Sequence, residues 1–146
     1  MGMGADMGQK PTRGIRNNNP LNIRVSKDTW VGEVPASQKK DRSFEEFLLP
    51  VYGLRAAFKL LLKYHRDYGL RTVNAIIGRW APPNENNTRE YVAAVCKGSG
   101  FKPDQHLTEN DLEKLAGPMT RVENAGQQPY SDDLIHKAFL MALGIA

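Results

Sequence analysis

A chain of 146 residues, 40% hydrophobic and 25% charged, is the size and mix of one globular domain, which excludes a disordered chain or a coiled coil. The single Cys96 excludes a disulfide within the chain, His65, His106 and His136 lie too far apart for zinc-ligand spacing, and the longest apolar stretch, 138–146, is too short to span a bilayer. A net charge of +4 favours a polyanion, nucleic acid or an acidic cell wall, without choosing between them.

Residues 1–12 are rich in Gly and Met without periodicity and predict a flexible leader, with one folded domain over 13–146. They lack the apolar core of a signal peptide, so an external target implies release by lysis or carriage inside a particle. The run Arg13-Gly14-Ile15-Arg16-Asn17-Asn18-Asn19-Pro20-Leu21-Asn22-Ile23-Arg24 predicts a loop, because Asn side chains compete for backbone hydrogen bonds and Pro20 lacks a donor. Over 22–49, short apolar groups (Ile23 and Val25; Trp30, Val31 and Val34; Phe44, Phe47 and Leu48) alternate with polar turns, predicting a small antiparallel sheet of two or three strands. At Pro50 the period becomes helical, and Leu54, Phe58, Leu61, Leu62 and His65 share one face of a helix over 50–68. A second helix over 72–79 is stopped by Trp80-Ala81-Pro82-Pro83. Asn87 with Glu90, and Thr108 with Asp111, match capping boxes. Gly117-Pro118 then breaks and restarts the chain, and Ser131 followed by two aspartates opens a last helix that Gly144 ends. The fold class expected is α+β and mainly helical, with five or six helices around one small sheet.

With no metal-ligand pattern, no phosphate-binding glycine loop and Cys96 on an apolar face, no cofactor is expected and carboxylate chemistry remains. Cleaving a glycan needs a carboxylic acid at the edge of an apolar environment. Glu123 is the best candidate for the catalytic acid: it ends a short helix over 118–124, beside Met119 and Val122, and leads into the loop Ala125-Gly126-Gln127-Gln128-Pro129-Tyr130. A carboxylate at a helix C-terminus opposes the helix dipole, a misfit that a function would explain; the plain alternative is a solvated Glu. Glu33, Glu45, Glu46 and Glu85 are rivals, although adjacent Glu45 and Glu46 cannot both face inward from a strand. Asn18, Asn19, Asn22 and Arg24 supply amides and a guanidinium suited to the hydroxyls, acetamides and carboxylates of an amino-sugar polymer, or they cap their own loop. Trp30, Trp80, Tyr91 and Tyr130 lie near loops, where a ring either stacks on a pyranose or belongs to the core, and Glu85 follows Trp80 into the same candidate groove. The basic residues form no stripe on a helix face, which makes nucleic acid the weaker partner.

Taken in order, the Arg13–Arg24 run, Trp30-Val31-Gly32, Phe44 and Phe47, Pro50-Val51-Tyr52-Gly53-Leu54-Arg55-Ala56, Arg79-Trp80-Ala81-Pro82-Pro83, Glu85-Asn86-Asn87-Thr88, Tyr91, Glu123 and Pro129-Tyr130 form a spaced set of motifs. The set resembles small bacteriophage and prophage virion proteins of lysozyme-like, lytic-transglycosylase-like character, over 13–139. The first half is also similar to bacterial glucosaminidases, with Asn18, Asn19, Ile23 and Arg24 in the places of their Asn-Asn-x-x-Gly-Ile-Lys loop. Two departures stand out. Leu21 occupies a position where the phage relatives commonly have Gly, which reaches backbone angles Leu avoids. Enzymes of the lysozyme superfamily carry the catalytic Glu on a helix before this box, where the chain has only 1–12, with Asp6 as the sole acid. Because 119–126 is similar to the catalytic helix of lytic transglycosylases, the resemblance implies a permuted lysozyme-like domain in which Glu123 faces residues 18–22. It implies peptidoglycan as substrate, cut by transglycosylation or by inversion without a close second carboxylate. It also implies other virion proteins as partners, synthesis in the host cytoplasm, and carriage in the particle to act on the periplasm or wall during genome delivery. A non-catalytic structural or wall-binding virion protein of the same shape is the alternative.

Overall fold

A computed structural model of the chain describes residues 9–84 and 87–145. After one helical turn, α1 (Arg13–Arg16), and a 3-10 turn (Ala36–Gln38), the described chain is dominated by α2 (Pro50–Asp67), α3 (Val73–Trp80), α4 (Thr88–Ser99), α5 (Ala116–Glu123) and α6 (Asp132–Leu143). Pro50 opens α2 at the position where its missing N–H costs nothing. One stripe of α2, including Leu54, Phe58, Leu61, Leu62 and His65, is buried, and it packs along α6, where the Phe58 and Phe139 rings meet edge-on at 5.1 Å. Side-chain caps begin α3, α4 and α6: Thr72 accepts from Ala75 N–H, Asn87 from Glu90 N–H and Ser131 from Leu134 N–H. Gly117-Pro118 does not break the chain as expected. A 3-10 turn (Asn110–Leu115) runs directly into α5, and Pro118 sits in its first turn, where backbone N–H groups lack intrahelical partners in any case.

The expected small antiparallel sheet is not formed, which overturns the α+β, lysozyme-like description, permuted or not; the fold is mainly helical. Over 22–49 the described chain makes two isolated antiparallel bridges, Arg24 with Phe44 and Glu33 with Phe47. Each spans a few residues: Val25 N–H donates to Ser43 O and Glu45 N–H to Ile23 O, while Val34 N–H donates to Glu46 O and Leu48 N–H to Gly32 O. The ladders stop there because the asparagine run takes the backbone groups that a longer ladder needs. Phe47 N–H donates to Asn17 O, Phe47 O accepts from Asn18 Nδ2, and Glu45 O accepts from Asn19 Nδ2. Side-chain amides thus replace a strand.

The asparagine loop lies directly against α2. A Cβ on Gly53 would stand 1.8 Å from Asn18 O, so only glycine allows that approach. Asn18 and Asn22 both have φ of 53°, a left-handed conformation that Asn tolerates better than other non-glycine residues. Leu21 has no positive φ and is 1% exposed, so a core side chain fits where glycine is common in the resembling proteins. Residues 10–12, read as the end of a leader, are held: Gln127 bonds Thr12 N–H and Lys10 O, and Thr12 Oγ1 donates to Asn124. Residues 1–8 of that segment lie outside the described residues.

Candidate functional site

A cleft of about 710 Å³ runs between the loop that follows the asparagine run and the face of α2 and α3 beside their main packing stripe. Asn22, Ile23, Arg24 and Trp30 line one side, Leu60, Tyr64 and Trp80 the other, with Phe44 and Glu123 also on its surface. Trp80, the last residue of α3, meets Tyr64 edge-on at 6.0 Å, so the two rings hold each other on the wall. Arg24 packs its guanidinium 5.0 Å from the centre of the Phe44 ring.

Glu123 is held from two directions. Asn22 Nδ2 donates to Glu123 Oε1 and to its backbone carbonyl, both at 3.2 Å, across 101 residues of sequence. From α4, the Tyr91 hydroxyl donates to Glu123 Oε2 at 2.8 Å. Burial, and then the neighbouring Glu123 charge, push the Tyr91 phenol far above its ordinary range, so it remains a neutral donor. The next residue, Asn124, is 1% exposed and clamps the end of α5 to the loop: its Nδ2 donates to Pro20 O at 2.7 Å and to Thr120 O at 2.9 Å. Gly14 makes room for this junction, since a Cβ there would lie 2.6 Å from Asn124 Oδ1 and 2.8 Å from Asn22 Oδ1. Ala125, at φ 52°, and Gly126, at φ 88°, then reverse the chain immediately after the carboxylate.

The proposed sugar contacts separate into two groups. Asn22, Arg24, Trp30 and Trp80 line the cleft with Glu123. Asn18 and Asn19 do not: Asn18 bonds Phe47 O, and the fully buried Asn19 bonds Ile23 N–H, Ile23 O and Glu45 O. Tyr91 and Tyr130 are 6% and 8% exposed, which leaves neither ring a free face for a pyranose; Tyr91 instead supports Glu123, and burial pushes the Tyr130 hydroxyl up to about 12. Glu85 lies outside the described residues. Among the rival acids, Glu46 accepts from Lys40 and Asp41 N–H. Buried Glu45 faces Lys39 Nζ at 3.4 Å, and its carboxyl is raised chiefly by burial and next by Glu33. Neither they nor Glu33 line the cleft. Sequence reasoning missed Leu60, Tyr64, Phe44 and the clamp at Asn124. Leu60 and Tyr64 stand four apart on α2, off the main apolar stripe, and that second pair was the available signal.

Among the described residues no cluster of His, Cys, Asp and Glu could hold a metal ion, and no helix is long and apolar enough to cross a membrane. No protein-family model matches the chain. Over 130 residues it is 41% identical to "Protein P5" of Pseudoalteromonas phage PM2, a match that takes in 87% of this chain and 79% of that protein.

Proposed function

Because the chain belongs to the family of Protein P5 of Pseudoalteromonas phage PM2, we propose that it is carried in a phage particle and cuts the glycan strands of peptidoglycan, opening the wall locally during genome delivery. The observation that carries this reading is the Glu123 carboxylate on an aromatic-walled cleft, fixed by two neutral donors, Asn22 and Tyr91, with no cation bonded to it among the described residues. A general acid needs a defined orientation towards the scissile oxygen, which these two donors supply. Trp30, Tyr64 and Trp80 offer apolar surface for sugar rings, and Asn22 and Arg24 offer polar groups for their substituents. The other carboxylate on the cleft, Asp28, is exposed in a loop. A positioned acid without a close second carboxylate suits lytic transglycosylation, in which a hydroxyl of the substrate attacks; inversion with water requires Asp28 as the base that takes the water's proton.

Purified protein incubated with sacculi should release muropeptides identifiable by mass spectrometry. Anhydro ends indicate transglycosylation and reducing ends hydrolysis. Glu123→Gln should cut release about a hundredfold or more, as loss of a general acid does. The variant should keep its fold, because the Gln carbonyl can still accept from Asn22 and the Tyr91 hydroxyl can turn to accept from the Gln amide. One observation favours a second reading: the same carboxylate joins α4, α5 and the asparagine loop, so Glu123 is also a structural clip. No release by the parent protein, with Glu123→Gln lowering only the melting temperature, would establish a non-catalytic structural or wall-binding protein of the particle.

A further inference from the structure

A second groove, of about 590 Å³, carries charge that the proposed reaction does not use. It is lined by Arg13, Arg16, Lys40 and Arg42 together with Asp41 and Glu46. Both carboxylates are engaged internally. Asp41 receives Arg13 Nε at 2.6 Å and Nη2 at 2.7 Å, as well as Asn17 Nδ2 and the N–H groups of Ser43 and Phe44. Glu46 Oε2 accepts from two backbone N–H groups. Arg16 gives one N–H to Pro11 O. Among the described residues no carboxylate pairs with Arg16, Lys40 or Arg42, and all three are exposed. The groove adjoins the cleft at one ring, because Phe44 lines the cleft and also packs against Arg13, 4.4 Å from its centroid.

We propose that this groove is a second binding site, which takes the free carboxylates of the peptides branching from a peptidoglycan strand held in the cleft. The proposal rests on the glycan-strand reading of the cleft and adds the part of the polymer that the cleft does not contact. Stem peptides carry several carboxylates close to the sugar backbone, and guanidinium forks bind carboxylates in bidentate geometry. Duplex nucleic acid fits less well, since the free cations occupy one groove with two carboxylates on its wall and form no stripe along which phosphates could run.

The test measures co-sedimentation of the full chain with sacculi at low salt, using untreated sacculi and sacculi whose carboxyls have been amidated with carbodiimide and ammonia. Amidation should weaken binding about tenfold, and the Arg16→Ala, Lys40→Ala, Arg42→Ala triple variant should lose about as much on untreated sacculi, through charge-assisted contacts that salt screens. The two losses should not add, and Arg16→Lys with Arg42→Lys, which keeps the charge but not the bidentate fork, should bind between parent and triple variant, which separates charge from folding. Equal binding by parent and triple variant, additive losses, or a triple-variant defect confined to duplex DNA would overturn the proposal. Carboxyl-dependent binding without muropeptide release would support the groove and sink the cleavage reading instead.

Discussion

Asn17, Asn18 and Asn19 differ from Asn22 in what their identical amides do, and the difference divides the loop into a scaffold half and a site half. The first three face the 41–47 segment, with Asn17 on Asp41, Asn18 on Phe47 O and Asn19 on Glu45 O. Asn22, beyond Pro20, turns the other way, to Glu123. Direction sets the role. Asn17, Asn18 and Asn19 hold the 41–47 segment in place of a strand, whereas Asn22 fixes a carboxylate on the cleft. The loop is therefore a scaffold where it meets 41–47 and part of the cleft wall at Asn22.

Removing the side chain of Asn19 gives the largest expected effect within this comparison. Asn19→Ala leaves Ile23 N–H and Glu45 O unpaired in the interior, while Ile23 O keeps Glu45 N–H, so urea unfolding should show a loss of about 3 kcal/mol or more; a loss below about 1 kcal/mol would mean that the two halves do not differ. Next comes Asn22→Gly, which removes the amide and keeps the left-handed backbone that Ala would strain. It should lower the rate of muropeptide release about tenfold by freeing Glu123 to rotate, while the melting temperature stays near that of the parent. A large melting shift with unchanged release would place Asn22 in the scaffold half.

The smallest effect concerns the partner of Asn17. Arg13 first, and then Asn17 and the N–H groups of Phe44 and Ser43, hold the Asp41 carboxyl well below the usual carboxylate range. The folded state thus favours the ionised form. Its contribution is complete above the unfolded value, about 3.9, and is lost as pH falls towards the folded one. Asp41→Asn should lower the melting temperature by a few degrees at pH 7, and the gap from the parent should narrow progressively below about pH 5. A gap that widens in acid would contradict the ion pair.

Local interactions were legible in the sequence. The stripe on α2 shows as periodicity, and the caps at Asn87, Thr108 and Ser131 show as residue types at fixed offsets, because both depend on neighbours within one turn. The segment 22–49 misleads, since its apolar groups alternate as strands do while the competitors for its hydrogen bonds lie some 26 to 30 residues away in the asparagine run. Tyr91 and Tyr130 mislead in another way: an aromatic residue in or near a loop carries no sign of whether its ring will be covered.

The sequence by itself determined that this protein is mainly helical, where α2, α3 and α6 begin and end to within a few residues, where α4 begins, and which asparagines, aromatics and carboxylates were worth following. Only the tertiary structure decided that Asn22 and not Asn19 reaches Glu123, that Tyr91 supports this carboxylate from a buried position, and that the bridges at Phe44 and Phe47 do not grow into a sheet. The reason is one of range. Periodicity and capping act within a few residues, whereas the Asn22–Glu123 contact closes a span of 101 residues and forms only when the asparagine loop is seated on Gly53 and tied through Asn124 to the end of α5.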